Sequence, residues 1–234
     1  MNKAIRTIWY FFQTLRGLYS QWGGLRNKDK YGRLGRASYI GSGSTLATRN
    51  MFLDDFTVVQ NQNNFISLGG QLEIGKYSVI SSGCTIVASS HVLTVGVPFY
   101  VSTQYHINDI DSKVIIKEDV WVGAACVLLP GCTIGRGAVV GAGCIVKKNV
   151  PPYAVVVGVP AKVIASKFTK EQIIAHERIL YPVELRMSEN QIDNLFEEFF
   201  KGKPSIGKDF LSDDDSEYLR KIREDLGMKD YSKD

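Results

Sequence analysis

Three histidines and four cysteines are the side chains of this chain best suited to chemistry, and their spacing sorts them. His91 ends the segment Ile86-Val-Ala-Ser-Ser-His91, and His106 follows within Tyr105-His-Ile-Asn-Asp109. An imidazole with an ordinary pKa of about 6.5 can take a proton from a hydroxyl near neutral pH, a service worth about 10² to 10⁴ in rate. A solitary histidine is more often structural. His91 stands out because it adjoins the one long segment, Leu93 to Lys113, in which an otherwise persistent repeat fails. His106 lies inside that segment, where packing of the loop and binding of a ligand are equally good accounts of it. His176 is remote, so no histidine pair has metal-ligand spacing and no metal site is expected.

Cys84, Cys126, Cys132 and Cys144 all fall at multiples of six, as do Ser78 and Ala138. Neither the spacing of a zinc site nor a disulfide framework looks like this. One slot that accepts Cys, Ser and Ala in turn is an inward position that needs a small side chain.

The elements that must carry His91 follow from the same period. Counted in sixes from Ile116, each hexad begins with an aliphatic residue: Ile116, Val122, Leu128, Ile134, Val140 and Val146. Backwards in that frame come Val92, Ile86, Ile80, Ile74 and Leu68, and Ile40, Leu46, Phe52 and Val58 form a shifted run. A 3.6-residue helix does not keep every sixth residue on one face, and a flat strand would bury every second residue, not one or two in six. A coil of three short flat sides does, with the aliphatic residue pointing to its axis. Gly75, Gly123, Gly135 and Gly141 follow the aliphatic residue, where corners are expected to need unusual backbone angles. Val92 and Ile116 lie four hexads apart, so residues 93–113 form a loop extruded from one coil, and long loops in compact repeats commonly serve binding or catalysis.

Of the 234 residues, 44% are hydrophobic and 22% charged, which excludes a disordered chain. The net charge of +4 is unevenly placed: +7 over residues 1–36, +1 over 37–166 and −4 over 167–234. These ranges delimit a basic N-terminal segment, the coil, and a C-terminal extension in which Thr169, Ser188 and Ser212 each have the spacing of a helix start. In residues 4–22, Ile5, Ile8, Trp9, Phe12, Leu15 and Tyr19 recur at helical steps. Such a helix either packs on the body or a neighbouring subunit, or lies at a membrane surface with Lys3, Arg6, Arg16, Arg26 and Lys28 towards anionic lipid. The segment is too short and too interrupted by charge for a spanning helix. A cytoplasmic location is expected, with peripheral contact at the inner face of the membrane as the second reading of the helix. Basic residues confined to an apolar-faced helix do not form a nucleic-acid groove.

Asp119-Val-Trp-Val-Gly123, Pro130-Gly-Cys-Thr-Ile-Gly135, Val140-Gly-Ala-Gly143 and Gly158-Val-Pro-Ala-Lys-Val-Ile164 together resemble the hexapeptide-repeat acyltransferases, over roughly residues 40 to 166. The likeness is greatest to the branch of maltose, galactoside and xenobiotic O-acetyltransferases and the capsule or O-antigen acetyltransferases. It implies an all-β left-handed parallel β-helix, a homotrimer with sites between subunits, acetyl-CoA as acyl donor, and His91 as general base. By the same resemblance Trp121, Gly123, Ala124 and Ala142 border the pantetheine groove, and Lys147, Lys148 and Lys162 lie near the nucleotide phosphates. The metal-binding relatives with the same fold, the γ-type carbonic anhydrases, use a histidine pair that this chain lacks.

For the acceptor, Asp54, Asp55, Asn61, Asn63, His106 and Asn108 are the candidate contacts, although the first four suit a plain surface turn equally well. The function implied is O-acetylation of a saccharide hydroxyl in surface-polysaccharide assembly. A xenobiotic or antibiotic hydroxyl, serine, a sugar amine, and a non-catalytic β-helix scaffold are the alternatives.

Overall fold

A computed structural model describes residues 30–208 and 211–232 and divides the chain into two compact units, with the boundary between Lys162 and Val163. The amphipathic segment 4–22 lies outside the described residues. The first unit is a three-sided coil of short parallel strands. One side stacks Arg33–Leu34, Met51–Leu53, Gln71–Ile74, Lys113–Ile116 and Thr133–Ile134. A second stacks Tyr39–Ile40, Val58–Val59, Val79–Ile80, Trp121–Val122, Val139–Val140 and Ala154–Val157, and the third Thr45–Leu46, Asn64–Ile66, Thr85–Val87, Val127–Leu128 and Ile145–Val146. The first strand thus begins at Arg33, ahead of the boundary at residue 37 expected from the charge pattern.

Strands this short cannot hold together alone; they persist because one aliphatic residue per side points into the axis. Ile74, Ile80, Ile86, Ile116, Val122, Leu128, Ile134 and Val140 are all at most 1% exposed, and each such burial contributes about 1.5–3 kcal/mol. The earlier coils depart from strict sixes. Leu34 stacks on Leu53, Ile40 on Val59 and Leu46 on Phe65, one position more than three hexads, because a 3-10 turn at Thr48–Asn50 lengthens the coil. Phe52 and Val58, expected to point inward, therefore point outward, and Leu53 and Val59 take the axis. Leu68 is exposed, and Val92 belongs to the extruded segment rather than to the stack.

The small-residue slot is buried as expected at Ser78, Cys84, Cys126, Cys132, Ala138 and Cys144, and all four cysteines are free thiols. Burial pushes the Cys132 thiol up to about 11, so it stays protonated. The slot does more than fill space. Ser78 Oγ donates to Lys117 O at 2.7 Å, Cys84 Sγ to Gly123 O at 3.2 Å and Cys126 Sγ to Gly141 O at 3.1 Å, so the side chain satisfies a corner carbonyl of the next coil. Asn63 occupies the equivalent place in an earlier coil: it is fully buried, donates to Gln60 O and accepts from Cys84 N–H.

Gly75, Gly123, Gly135 and Gly141 correct the expectation about corners, since none has a positive φ. They are required by close approach. A Cβ on Gly123 would lie 2.6 Å from Ala142 N, and one on Gly135 2.4 Å from Pro152 N. The left-handed corner residues come two positions later and include Tyr77, Asp119, Ala125 and Tyr153.

The extruded segment is ordered. Ser89–His91 and Asp109–Asp111 form an antiparallel ribbon, and helix α1 (Phe99–Tyr105) closes its far end. Three further helices lie in the second unit. Helix α2 (Lys170–Leu180) starts at a Thr169–Gln172 capping box and α3 (Glu189–Leu195) at a Ser188–Gln191 capping box. Helix α4 (Asp213–Leu226) starts at Ser212 and stops at left-handed Gly227. All three starts lie where the sequence signals place them.

Because the neighbour of Gly135 is backbone that cannot rotate away, Gly135→Ala should lower stability by about 1–3 kcal/mol, read as a drop in the denaturation midpoint. An unchanged midpoint would show that the spacing of the coils does not depend on it.

Candidate active site

Ala88 leaves the third side of the coil fully buried, and the chain then turns out of the stack as the strand Ser89–His91. A serine lock holds the base of this excursion. Ser89 Oγ donates to Asp111 Oδ1 at 2.6 Å and accepts from Leu68 N–H at 2.9 Å, while Gly69 N–H also donates to Asp111 Oδ1 at 2.9 Å. The Ser89 hydroxyl and then the Gly69 amide hold the Asp111 carboxyl below the ordinary carboxylate range.

With the base fixed, antiparallel register sets Ser89 opposite Asp111 and His91 opposite Asp109. His91 Nδ1 lies 2.6 Å from Asp109 Oδ1. The other oxygen of the same carboxylate, Oδ2, lies 2.8 Å from His106 Nδ1. His106 reaches it because α1 ends there: His106 is its left-handed C-cap at φ 53°, its N–H donates to Ser102 O, and Ser102 Oγ donates to Ile107 O. Asn108 is also left-handed, at φ 56°, and donates through Nδ2 to Thr94 Oγ1. These turns fold the chain back into the strand that carries Asp109.

The protonation pattern follows from the partners. Burial pushes the Asp109 carboxyl up, but hydrogen bonds from His91 and His106 and the attraction between the groups outweigh it and hold it below its ordinary range. An ionised carboxylate only accepts, so both Nδ1 atoms carry the hydrogen. In a neutral ring so held, the lone pair is on His91 Nε2, the nitrogen not engaged by Asp109. The His91 side chain is 33% exposed against 13% for Asp109, so the imidazole is reachable from solvent and the carboxylate that holds it is shielded.

The expected donor residues occupy another corner. Trp121 is 55% exposed on the second side, with its indole N–H on Ser81 Oγ at 3.3 Å. Gly123 and Ala124 follow it into the turn to the third side, beside Ala142 of the next coil, where Gly143 N–H donates to Ala124 O at 2.8 Å. The amides of Ala124 and Ala142 donate to nothing among the described residues. Lys147 and Lys148 follow the strand Ile145–Val146, and Ala161 N–H donates to Ile145 O at 2.9 Å, bringing Lys162 alongside. All three lysines are exposed and form no ion pair among the described residues. Within one chain, His91 stands after the third side, whereas Trp121, Gly123, Ala124 and Ala142 stand before it.

The expected acceptor residues divide in two. His106 and Asn108 are in the excursion with His91. Asp54, Asp55, Asn61 and Asn63 are not brought to it and instead close corners of the earlier coils. Asp54 pairs with Arg33 at 2.7 Å, Asp55 accepts from Arg36 N–H at 2.7 Å, and Asn61 accepts from Ser42 N–H at 3.1 Å. Asn63, fully buried with both ends of its amide engaged, has no face left for a ligand, which corrects that expectation. Sequence patterning does not single out Asp109, Ser89 or Asp111, because partners so far apart along the chain mean nothing until a hairpin register aligns them. The one available signal is an acid three positions after a histidine in Tyr105-His-Ile-Asn-Asp109. Among the described residues, no group of three histidine, cysteine or acidic side chains is arranged to hold a metal ion.

Comparison with known proteins fits this geometry. Residues 113–148 match the family model described as bacterial transferase hexapeptide (six repeats). A chloramphenicol acetyltransferase of Klebsiella aerogenes is 49% identical over 59 residues, 25% of this chain and 28% of that protein, so the chain spans little more than a quarter of that relative. A hexapeptide-repeat acetyltransferase from Vibrio cholerae O1 biovar eltor, solved with acetyl-CoA, is similar with a TM-score of 0.53 and 25% identity, covering 60% of this chain and 73% of that one. A maltose O-acetyltransferase from Clostridium difficile 630 gives a TM-score of 0.50 and 25% identity, covering 59% and 71%. The coil, with its hexad frame and its aliphatic axis, is a left-handed parallel β-helix like those of the hexapeptide-repeat acetyltransferases, and residues 113–148 carry the repeat of that family model.

Proposed function

We propose that this chain is an acetyl-CoA-dependent O-acetyltransferase acting on a saccharide hydroxyl, in the assembly of a surface polysaccharide. The observation that carries the reading is the His91–Asp109 pair, a solvent-reachable imidazole held through Nδ1 by a shielded carboxylate, which leaves Nε2 unengaged. Support for the donor comes from the two undonated amides at Ala124 and Ala142, the three unpaired lysines beyond them, and the acetyl-CoA in the Vibrio cholerae structure. Support for the acceptor comes from the likeness to a maltose O-acetyltransferase.

In this reaction His91 Nε2 takes the hydroxyl proton as the oxygen attacks the thioester carbonyl. A C–O bond forms, the C–S bond breaks, and the proton is returned to the leaving CoA sulfur, with no covalent enzyme intermediate. Asp109 is a positioning residue: it keeps the imidazole in the tautomer that exposes a lone pair and stabilises the positive charge that develops. Since His91 and the Trp121–Ala142 corner lie on opposite ends of the third side, a homotrimer in which one subunit supplies the base and its neighbour the groove is the arrangement proposed. Acetyl-CoA supply places the reaction in the cytoplasm, with residues 4–22 as a candidate contact to the membrane face. Lys147, Lys148 and Lys162 would meet the nucleotide phosphates.

The chloramphenicol acetyltransferase match favours one second reading, transfer to a xenobiotic hydroxyl. A panel of saccharides, chloramphenicol, serine and amino sugars, followed by CoA thiol release, separates the two.

His91→Ala should lower transfer about 10²- to 10⁴-fold while calorimetric binding of acetyl-CoA stays intact. Full activity in that variant rejects the assignment.

Asp109→Asn, which keeps the shape but can donate to Nδ1 and invert the tautomer, should reduce kcat roughly 10- to 10³-fold with KM for acetyl-CoA unchanged, and Asp109→Glu should restore part of it. The pH dependence has a definite sign. Because the Asp109 carboxyl is held below its ordinary value, the order it confers on the excursion is present above about pH 4 and is lost only as pH falls through the lowered value. Amide exchange in residues 89–111 followed from neutral pH downwards should stay constant to about pH 4; loosening already at about pH 5 to 6 would contradict the anchoring.

A further inference from the structure

A base and its anchor need one histidine, yet the excursion holds two on the same carboxylate. Asp109 gives one oxygen to His91 Nδ1 and the other to His106 Nδ1, at 2.6 and 2.8 Å. The two rings lie 26° from parallel with centroids 6.4 Å apart. Anchored through corresponding atoms, they turn corresponding edges away from Asp109, and neither Nε2 has a hydrogen-bond partner among the described residues. His106 is the more open of the two, with 57% of its side chain exposed.

The backbone at His106 adds a second observation. The C-cap of α1 is in the left-handed region, a place commonly given to glycine or asparagine. A histidine there carries a modest backbone cost, and its ring is held by Asp109 rather than released to solvent. Ser102, 2% exposed, locks the turn from both sides, accepting at its carbonyl from His106 N–H and donating from Oγ to Ile107 O. The turn is therefore built to aim this side chain, and the place it aims it is beside the base.

We propose that His91 and His106 form a paired imidazole clamp for two neighbouring hydroxyls of the acceptor, so that the acceptor is a diol. The inference rests on the saccharide reading above and narrows it. His91 Nε2 faces the hydroxyl that is acetylated. His106, with its Nδ1 hydrogen committed to Asp109, accepts at Nε2 from the hydroxyl beside it. Two imidazoles with centroids 6.4 Å apart, each Nε2 about 2.8 Å from its oxygen, suit a pair of oxygens on adjacent ring carbons of a pyranose. The clamp thus selects which hydroxyl is acetylated by requiring a hydroxyl neighbour on the side of His106.

The test crosses a deletion in the enzyme with one in the acceptor. His106→Asn keeps a residue that tolerates the left-handed C-cap, so the turn is preserved while the imidazole is removed. The acceptors are the methyl hexopyranoside that wild type acetylates fastest and its counterparts lacking one hydroxyl next to the acetylated position. Wild type should lose about 10- to 10²-fold in kcat/KM on one deoxy counterpart, His106→Asn should lose a similar factor on the parent glycoside, and the variant should match wild type on that counterpart. An equal loss on parent and counterpart would overturn the clamp, since His106 would then act only by steadying Asp109. Equal rates of wild type on parent and all deoxy acceptors would overturn it too. Background rates of wild type on every saccharide overturn the saccharide reading itself, and the clamp with it.

Discussion

Stacking in register holds the whole of the first unit together. A strand of two residues has almost no stability of its own, and it is ordered only because the strand one coil away sets an apolar residue beside its own on the axis, as Val146 does for Leu128. Three details enforce this. The axis takes Ile, Leu or Val; the slot two positions before it takes a small side chain that reaches the carbonyl of the next coil; and the corner after it takes glycine where backbone meets backbone. Gly123 beside Ala142 and Gly135 beside Pro152 show how little room is left. The same constraint explains the cysteines, whose Sγ atoms act as buried weak donors in a place where serine serves equally well.

Such a stack tolerates an insertion only if the chain returns to the position it left. Ile115 reaches its partner Thr133 after three hexads, whereas Gln71 meets Lys113 only after the chain has made the whole excursion in addition. The surplus is itself a whole number of hexads, so the frame resumes unchanged. The ends of the excursion are fixed by the coil and its base by Ser89 and Asp111, so the antiparallel register between them has no freedom to slip. A rigid scaffold thereby gives a long insertion one geometry, and His91, Asp109 and His106 inherit their placement from the strands of the coil.

The electrostatics of the excursion rest on separation of roles between two acids on one short strand. Asp111, nearest the coil, is consumed by Ser89 and the Gly69 amide, which fasten the ribbon. Asp109, farther out, is consumed by imidazoles. Alternation along a strand sends both side chains to the same face of the ribbon, and their partners differ because the ribbon leaves the coil between them. Neither carboxylate is left free, and both are held ionised.

Local pattern was enough to read the coil, its aliphatic axis, the small slot, the place of the excursion and the helix starts at Thr169, Ser188 and Ser212, because each is repeated or capped within a short stretch of chain. His91 stood out through position alone. Phe52 and Val58 were misplaced, because a 3-10 turn shifts the frame by one position without altering composition. Polar corner residues such as Asn63 passed for acceptor contacts, when burial and two hydrogen bonds make Asn63 part of the stack. The pairing of His91 with Asp109 and of Asp109 with His106 was left to the folded chain. Those contacts are made through a hairpin register and a left-handed helix cap, and neither leaves a period in the sequence. Repetition is visible in one dimension because it is enforced at every turn; the pairing of His91, Asp109 and His106 occurs once, and only tertiary contact brings its members together.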